Sequence, residues 1–243
     1  MHSLLITGRL LSRALWNGIT NVSTATDPSR QRKTEPQLVS AVCGFSKRRK
    51  IQRLIKGQFG DDAWFTAKYK TADVLGSSTA CVVILNKENS TLYTANIGDS
   101  GVMVVRRGKV IHKSEEQQHY FNTPFQLSLP PPGYQQEVLS DQPDSAITDN
   151  FPVEDGDVIL VATDGVFDNL PQSLILNELV KVQGERCATR LQMVANSIAW
   201  MARNLSFDET FLSPFSVNAF ANGIDTIGGK PDDITVVLAT VAI

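Results

Sequence analysis

The chain has 243 residues, enough for one substantial domain, and its 42% apolar and 20% charged residues are the balance of an ordinary globular protein. A formal net charge of -2 excludes the basic surplus of a nucleic-acid binder. No apolar run approaches the roughly 18 residues needed to span a bilayer, so no transmembrane segment is expected.

The first 26 residues carry Arg9 and Arg13, many Ser and Thr, no acidic residue, and the apolar set Leu4, Leu5, Leu11, Leu15 and Trp16. Arg9 and Arg13 stand one helical turn apart and so share a face. That is the composition of a mitochondrial transit peptide. Residues 1–34 are therefore expected to direct the chain to the mitochondrial matrix, with a disordered tail on a cytoplasmic protein as the alternative. A secretory signal fits less well, because the two arginines interrupt its apolar core.

Residues 35–243 read as the folded domain. Leu38 to Cys43 is short and apolar, and Ala63 to Tyr69 alternates around Trp64 and Phe65. Thr79 to Leu85, Thr91 to Ile97, Gly101 to Arg106 and Lys109 to His112 are β-rich runs separated by short polar turns, which predicts antiparallel neighbours. Asn122 to Asn150 holds Pro124, Pro130, Pro131, Pro132 and Pro143 and is expected to be a long ordered loop or flap. Val158 to Ala162 predicts another buried strand. Pro171 to Val182 and Cys187 to Leu205 predict helices, Pro171 suiting a helix start. In the second, Leu191, Val194, Ile198 and Met201 recur at helical spacing as core-facing residues. Ile234 to Ala242 is apolar nearly throughout and predicts a central strand. Strands first, helices late and a final strand indicate an α+β fold.

Carboxylates sit where the apolar runs stop. Gly60-Asp61-Asp62 precedes one strand, Thr163-Asp164-Gly165 follows another, and Pro231-Asp232-Asp233 leads into the last. A buried carboxylate is costly unless paired, and hard divalent cations take all-oxygen ligand sets. Gly165 permits close backbone approach to whatever Asp164 binds. Each motif alone reads equally as a turn, and Asp99 in Gly98-Asp99-Ser100 equally closes a hairpin. The ordered set is what points to a two-metal hydrolase.

The set Gly60-Asp61-Asp62-Ala63, Gly76-Ser77-Ser78-Thr79-Ala80, Ala95-Asn96-Ile97-Gly98-Asp99-Ser100, Ala162-Thr163-Asp164-Gly165-Val166-Phe167-Asp168 and Lys230-Pro231-Asp232-Asp233-Ile234-Thr235 resembles the successive motifs of the metal-dependent, type 2C protein serine/threonine phosphatases. The stretch Glu115 to Leu127 is similar to the mitochondrially targeted branch. The resemblance implies an α-β-β-α sandwich of two antiparallel sheets flanked by helices, two Mn²⁺ or Mg²⁺ ions, and phosphoprotein substrates. It implies metal ligation by Asp61, Asp62, Asp164 and Asp232, with Gly165, Asp233 and Asp99 in supporting positions.

The pattern is also broken. The family carries an Asp-Gly pair, whose aspartate bridges both ions, followed by several dozen helical residues. Here Gly76 runs directly into Ser77-Ser78-Thr79, so that pair and one helical segment are missing. A non-catalytic, phosphatase-like binding protein with an incomplete metal centre is therefore the alternative function.

Other residues offer less. Lys47-Arg48-Arg49-Lys50 reads as a solvated helix face or a phosphoprotein-steering patch. His112 and His119 have no visible partner in the sequence. Cys43, Cys81 and Cys187 lack metal-type spacing, and Cys81 lies in an apolar run as a buried free thiol.

Overall fold

The computed structural model describes residues 2–7, 37–45, 76–129, 133 and 138–243. Two antiparallel sheets organise them. The larger contains β2 (Gln37–Phe45), β6 (Gly101–Arg106), β7 (Lys109–Lys113), β12 (Val158–Ala162) and β13 (Ile234–Ala242), in the order β2-β13-β12-β6-β7. The second contains β1 (His2–Thr7), β4 (Ala80–Asn86), β5 (Thr91–Ile97) and β11 (Ile147–Pro152), in the order β1-β4-β5-β11.

The two-residue period of a strand sorts its side chains into separate cores. Val102, Val104, Ile159, Val161, Val237 and Ala239 pack with Cys81, Val83, Leu85 and Leu92 of the second sheet. Their neighbours Met103, Val105, Val158, Leu160 and Leu238 pack on the opposite side with the helices. Both faces of β12 and β13 are thus covered, which explains their continuous apolar runs. β4 is covered on one face and alternates, with Cys81, Val83 and Leu85 fully buried.

The helices include α1 (Asp164–Phe167), α2 (Gln172–Leu179), α3 (Ala188–Ser206) and α4 (Pro214–Ala221). Pro171 stands at the N-cap of α2, one position before its expected place, and a 3₁₀ turn over Val180–Val182 completes the predicted helical stretch. In α3, Leu191 and Ile198 are fully buried, while Val194 and Met201 pack at the margin of the same core. The sandwich of antiparallel sheets with helices on its flank is the architecture expected from the sequence.

The expected loop over 122–150 contains more structure than its prolines suggest. β8 (Gln118–Tyr120) pairs with β9 (Thr123–Pro124), and β10 (Leu127–Leu129) pairs with β3 (Gly76–Ser78). β11 begins at Ile147, within the same stretch. Strands this short carry too few residues for alternation to show, and Pro124 is tolerated in a two-residue edge strand. Within the segment expected as a leader, His2–Thr7 forms β1 against β4, in the register His2↔Asn86 to Thr7↔Cys81. The basic run at 47–50 lies outside the described residues.

Candidate metal and phosphate site

β12 and β13 are adjacent and antiparallel, so the C-terminal end of one meets the N-terminal end of the other. Asp164 follows the first and Asp232 precedes the second, which brings the two motifs to one edge of the sheet. Thr163 joins them. Its hydroxyl donates to the Asp233 carbonyl at 3.0 Å and accepts from the Thr235 N–H at 3.0 Å, and its own N–H donates to the Thr235 carbonyl at 3.2 Å. Asp233 thus enters this junction through its backbone carbonyl.

Asn169 supplies the second tie between these motifs. This fully buried amide donates to the Gly165 and Lys230 carbonyls at 2.9 Å each and accepts from the Lys230 N–H at 2.8 Å. Gly165 is required by closeness: a Cβ there would lie 2.6 Å from the Asp233 carbonyl oxygen and 3.0 Å from Ile234 Cγ1.

The Lys230 ammonium stands among three carboxylates. Its Nζ is 2.6 Å from Asp168 Oδ2, 3.2 Å from Asp164 Oδ2 and 3.9 Å from Asp232 Oδ2. Asp164 is 2% exposed, and its Oδ1 accepts from the Gly165 N–H at 3.0 Å. Asp232 Oδ1 accepts from the Asp233 N–H at 2.8 Å. Burial pushes the Asp168 carboxyl up to about 6; Lys230 opposes that rise, while Asp164 and Glu116 add to it. At Lys230, burial pulls the ammonium down, but Asp168 and Asp164 outweigh it and hold it above its ordinary value. One ammonium thus faces three carboxylates within 3.9 Å.

Three aspartates around one lysine form an oxygen-rich, electron-rich set of the chemistry that hard divalent cations take. Among the described residues no three acidic, His or Cys side chains are grouped closely enough to hold an ion by themselves. The remaining expected ligands, Asp61 and Asp62, lie outside the described residues. Asp164 and Asp232 fit as the part of the ligand set that the β12–β13 edge provides.

Asp99 sits 6% exposed in the β5–β6 turn, where Gly98 adopts φ +96°. Beside it the Thr79 and Ser100 hydroxyls share a hydrogen bond of 2.9 Å. It closes the turn and lines a cleft together with Asp168 and Lys230. His119, seemingly solitary in sequence, has its Nε2 3.1 Å from Asp141 Oδ2 and stacks on Phe125. The sequence reading missed Asp168 and Lys230. Both lie inside motifs already singled out, four residues after Asp164 and two before Asp232, and charge at those offsets was the available signal.

Comparison with known proteins gives a consistent picture. Residues 20–124 match the model of the family described as Protein phosphatase 2C. The chain is 40% identical over 305 residues to the Protein phosphatase PTC7 homolog of Homo sapiens, covering 100% of this chain and 99% of that one. It is 39% identical over 303 residues to the homolog of the same name from Xenopus laevis, again with 100% and 99% covered. Against 243 residues here, a 303-residue alignment leaves 60 positions without a counterpart in this chain. Among solved structures, the photosystem II phosphatase PBCP superposes with a TM-score of 0.58 at 31% identity, covering 68% of this chain and 64% of that one.

Proposed function

The chain belongs to the protein phosphatase 2C family, and from that premise we propose that Asp61, Asp62, Asp164 and Asp232 hold two Mn²⁺ or Mg²⁺ ions and that phosphorylated proteins are its substrates. It is a protein phosphatase, metal-dependent as its family is. The observation that carries the ligand assignment is the meeting of Asp164 and Asp232, from two different strand ends, on one ammonium group.

When bound, such ions polarise a phosphoryl oxygen and lower the pKa of water. This chain's own residues do the rest. The Thr163 and Asn169 hydrogen bonds fix the strand ends, so that Asp164 and Asp232 keep their relative position without reorganisation. Lys230 offsets part of their mutual repulsion and supplies positive charge beside the place where a phosphate dianion would arrive.

The test is a titration of Mn²⁺ into the purified chain while phosphopeptide hydrolysis is followed. Turnover that rises with metal and is lost in Asp164→Asn supports the assignment. No turnover at any metal concentration overturns it for this chain, whose sequence lacks the family's bridging Asp-Gly pair.

For residues 1–34 we propose a mitochondrial address, supported by their arginines, hydroxyl-rich composition and lack of acidic residues before Asp27. A fluorescent fusion of this segment should collect in mitochondria; diffuse cytosolic fluorescence overturns the proposal.

A further inference from the structure

A cleft of about 290 Å³ opens beside Lys230, between the β8–β9 hairpin and α4. That volume is close to the roughly 300 Å³ lower bound of ligand-sized clefts, suited to one long side chain rather than a length of peptide. Its walls combine carboxylates, Asp99 and Glu116, with two aromatic rings, Phe121 and Phe215, and amides including Asn122 and Asn218.

The charge balance is directional. Lys230, also at the cleft wall, is engaged by Asp168 and Asp164, whereas Glu116 brings an exposed carboxylate to the same lining. The rings are arranged in sequence. Phe215 carries the Lys230 ammonium 5.3 Å from its centroid and packs against Phe121 at 5.5 Å, tilted by 31°. With Phe215 already beneath one cation, Phe121 is the aromatic surface available to a second. α4 is held in place for this by the Phe215 N–H, which donates to the Asp168 carbonyl at 3.0 Å. The Ser213 cap also holds it, accepting from the Ser216 N–H at 3.1 Å.

We propose that this cleft receives an arginine or lysine side chain flanking the phosphorylated residue of a protein substrate, with Glu116 meeting its charge and Phe121 its cationic face. The inference rests on the phosphatase reading above and names a substrate class for it. An acidic side chain would meet Glu116 as a like charge, whereas a guanidinium finds carboxylate, ring and amide acceptors together. The phosphate lies toward the Lys230 end and the basic residue toward the Glu116 end, so a substrate carrying both charges binds in one orientation.

The test measures binding separately from turnover. Short fluorescein-labelled peptides carry a non-hydrolysable phosphonate analogue of phosphothreonine, with Arg, Ala or Glu placed in turn at each flanking position. Fluorescence anisotropy with the full chain and Mn²⁺ should give roughly tenfold tighter binding for Arg than for Ala at one position, and weaker binding for Glu. Glu116→Gln, at an exposed site, should collapse the Arg-to-Ala ratio toward one, and Phe121→Ala should reduce it. Equal binding of all three peptides, no binding of any, or an Arg preference unchanged in Glu116→Gln overturns the proposal. Hydrolysis of p-nitrophenyl phosphate, which has no flanking residue, is followed in parallel. Its absence together with a retained, Glu116-dependent Arg preference would sink catalysis and leave the cleft assignment standing.

Discussion

Asn169 holds the backbone of Lys230 from both sides: its Nδ2 donates to the Lys230 carbonyl at 2.9 Å and its Oδ1 accepts from the Lys230 N–H at 2.8 Å. One fully buried side chain thus clamps the loop before β13 to the helix after β12. Asn169→Leu keeps the volume but strands two backbone groups and the Gly165 carbonyl. An unsatisfied buried polar group costs about 1–3 kcal/mol, so urea unfolding should show a loss of about 3 kcal/mol or more. A variant as stable as the parent would show that water replaces the clamp.

Among the described residues, Asp157 is the most deeply buried carboxylate with a defined partner. It is 0% exposed and accepts from Arg106 Nε at 2.8 Å and Arg106 Nη2 at 2.7 Å, while its Oδ2 also accepts from the Glu154 N–H at 2.8 Å. Removing one partner of such a pair leaves an uncompensated charge in the core. Arg106→Ala should therefore destabilise by roughly 3–5 kcal/mol, toward the lower figure because the arginine itself is partly exposed. Asp157→Asn introduced into that background should recover part of the loss; additive losses would contradict the argument.

Gly165→Ala tests how tightly the Asp164 and Asp232 motifs are packed. The added methyl group meets backbone, the Asp233 carbonyl at 2.6 Å, rather than a flexible side-chain end. Relief requires β13 to move away from α1, carrying Asp232 from Asp164. The cost expected is about 1–3 kcal/mol, with a fall in Mn²⁺-dependent turnover larger than the stability loss explains. Full stability and full turnover in this variant would mean that the spacing of the two aspartates is not critical.

These three variants show what the sequence made legible. Asp164, Gly165 and Asp232 were visible because short motifs beside apolar runs survive without any knowledge of pairing. β12 and β13 were visible because burial on both faces makes a strand continuously apolar. Asn169 was not, since an amide one residue beyond a motif has no pattern until β12 and β13 are placed side by side. α4 carried a readable signal in Ser213-Pro214, a cap residue followed by proline at the first helical position, but the helix has only eight residues and a short apolar face. The β3–β10 pair joins residues some fifty apart through three-residue strands, which no local periodicity can reveal.

The cysteines separate by environment. Burial pushes the Cys81 thiol up to about 12, and it is fully enclosed between the sheets. Cys187 is exposed at the N-cap of α3, where the backbone N–H groups of Arg190 and Thr189 draw its pKa below the ordinary value. At pH 8, in a Cys43→Ser background, iodoacetamide should label Cys187 alone in the folded chain and Cys81 only after urea is added. Because the Cys187 thiolate is favoured, its labelling rate should level off at lower pH than that of a free thiol. Prompt labelling of Cys81 in the native chain would mean that the two sheets open readily.

Lys230 gives the sharpest test of the site as a cation site. Its ammonium lies within 2.6 to 3.9 Å of Asp168, Asp164 and Asp232, so a divalent ion attracted to the last two competes with it for the same oxygens. Lys230→Met removes the competitor and leaves three carboxylates crowded together. Without metal the variant should melt below the parent, because like charges at short range disfavour the folded state. With Mn²⁺ the order of the shifts should reverse. Binding stabilises the native state by about 2.7 kcal/mol at a hundredfold excess over Kd, and a site freed of its internal cation should reach that excess at lower metal concentration. Differential scanning fluorimetry across a Mn²⁺ series then distinguishes the outcomes. A larger metal-induced rise in Tm for Lys230→Met than for the parent identifies the ammonium as a resident counter-charge. An equal or smaller rise means that Lys230 helps to assemble the ligand set, and that Asp164 and Asp232 need it in place to converge.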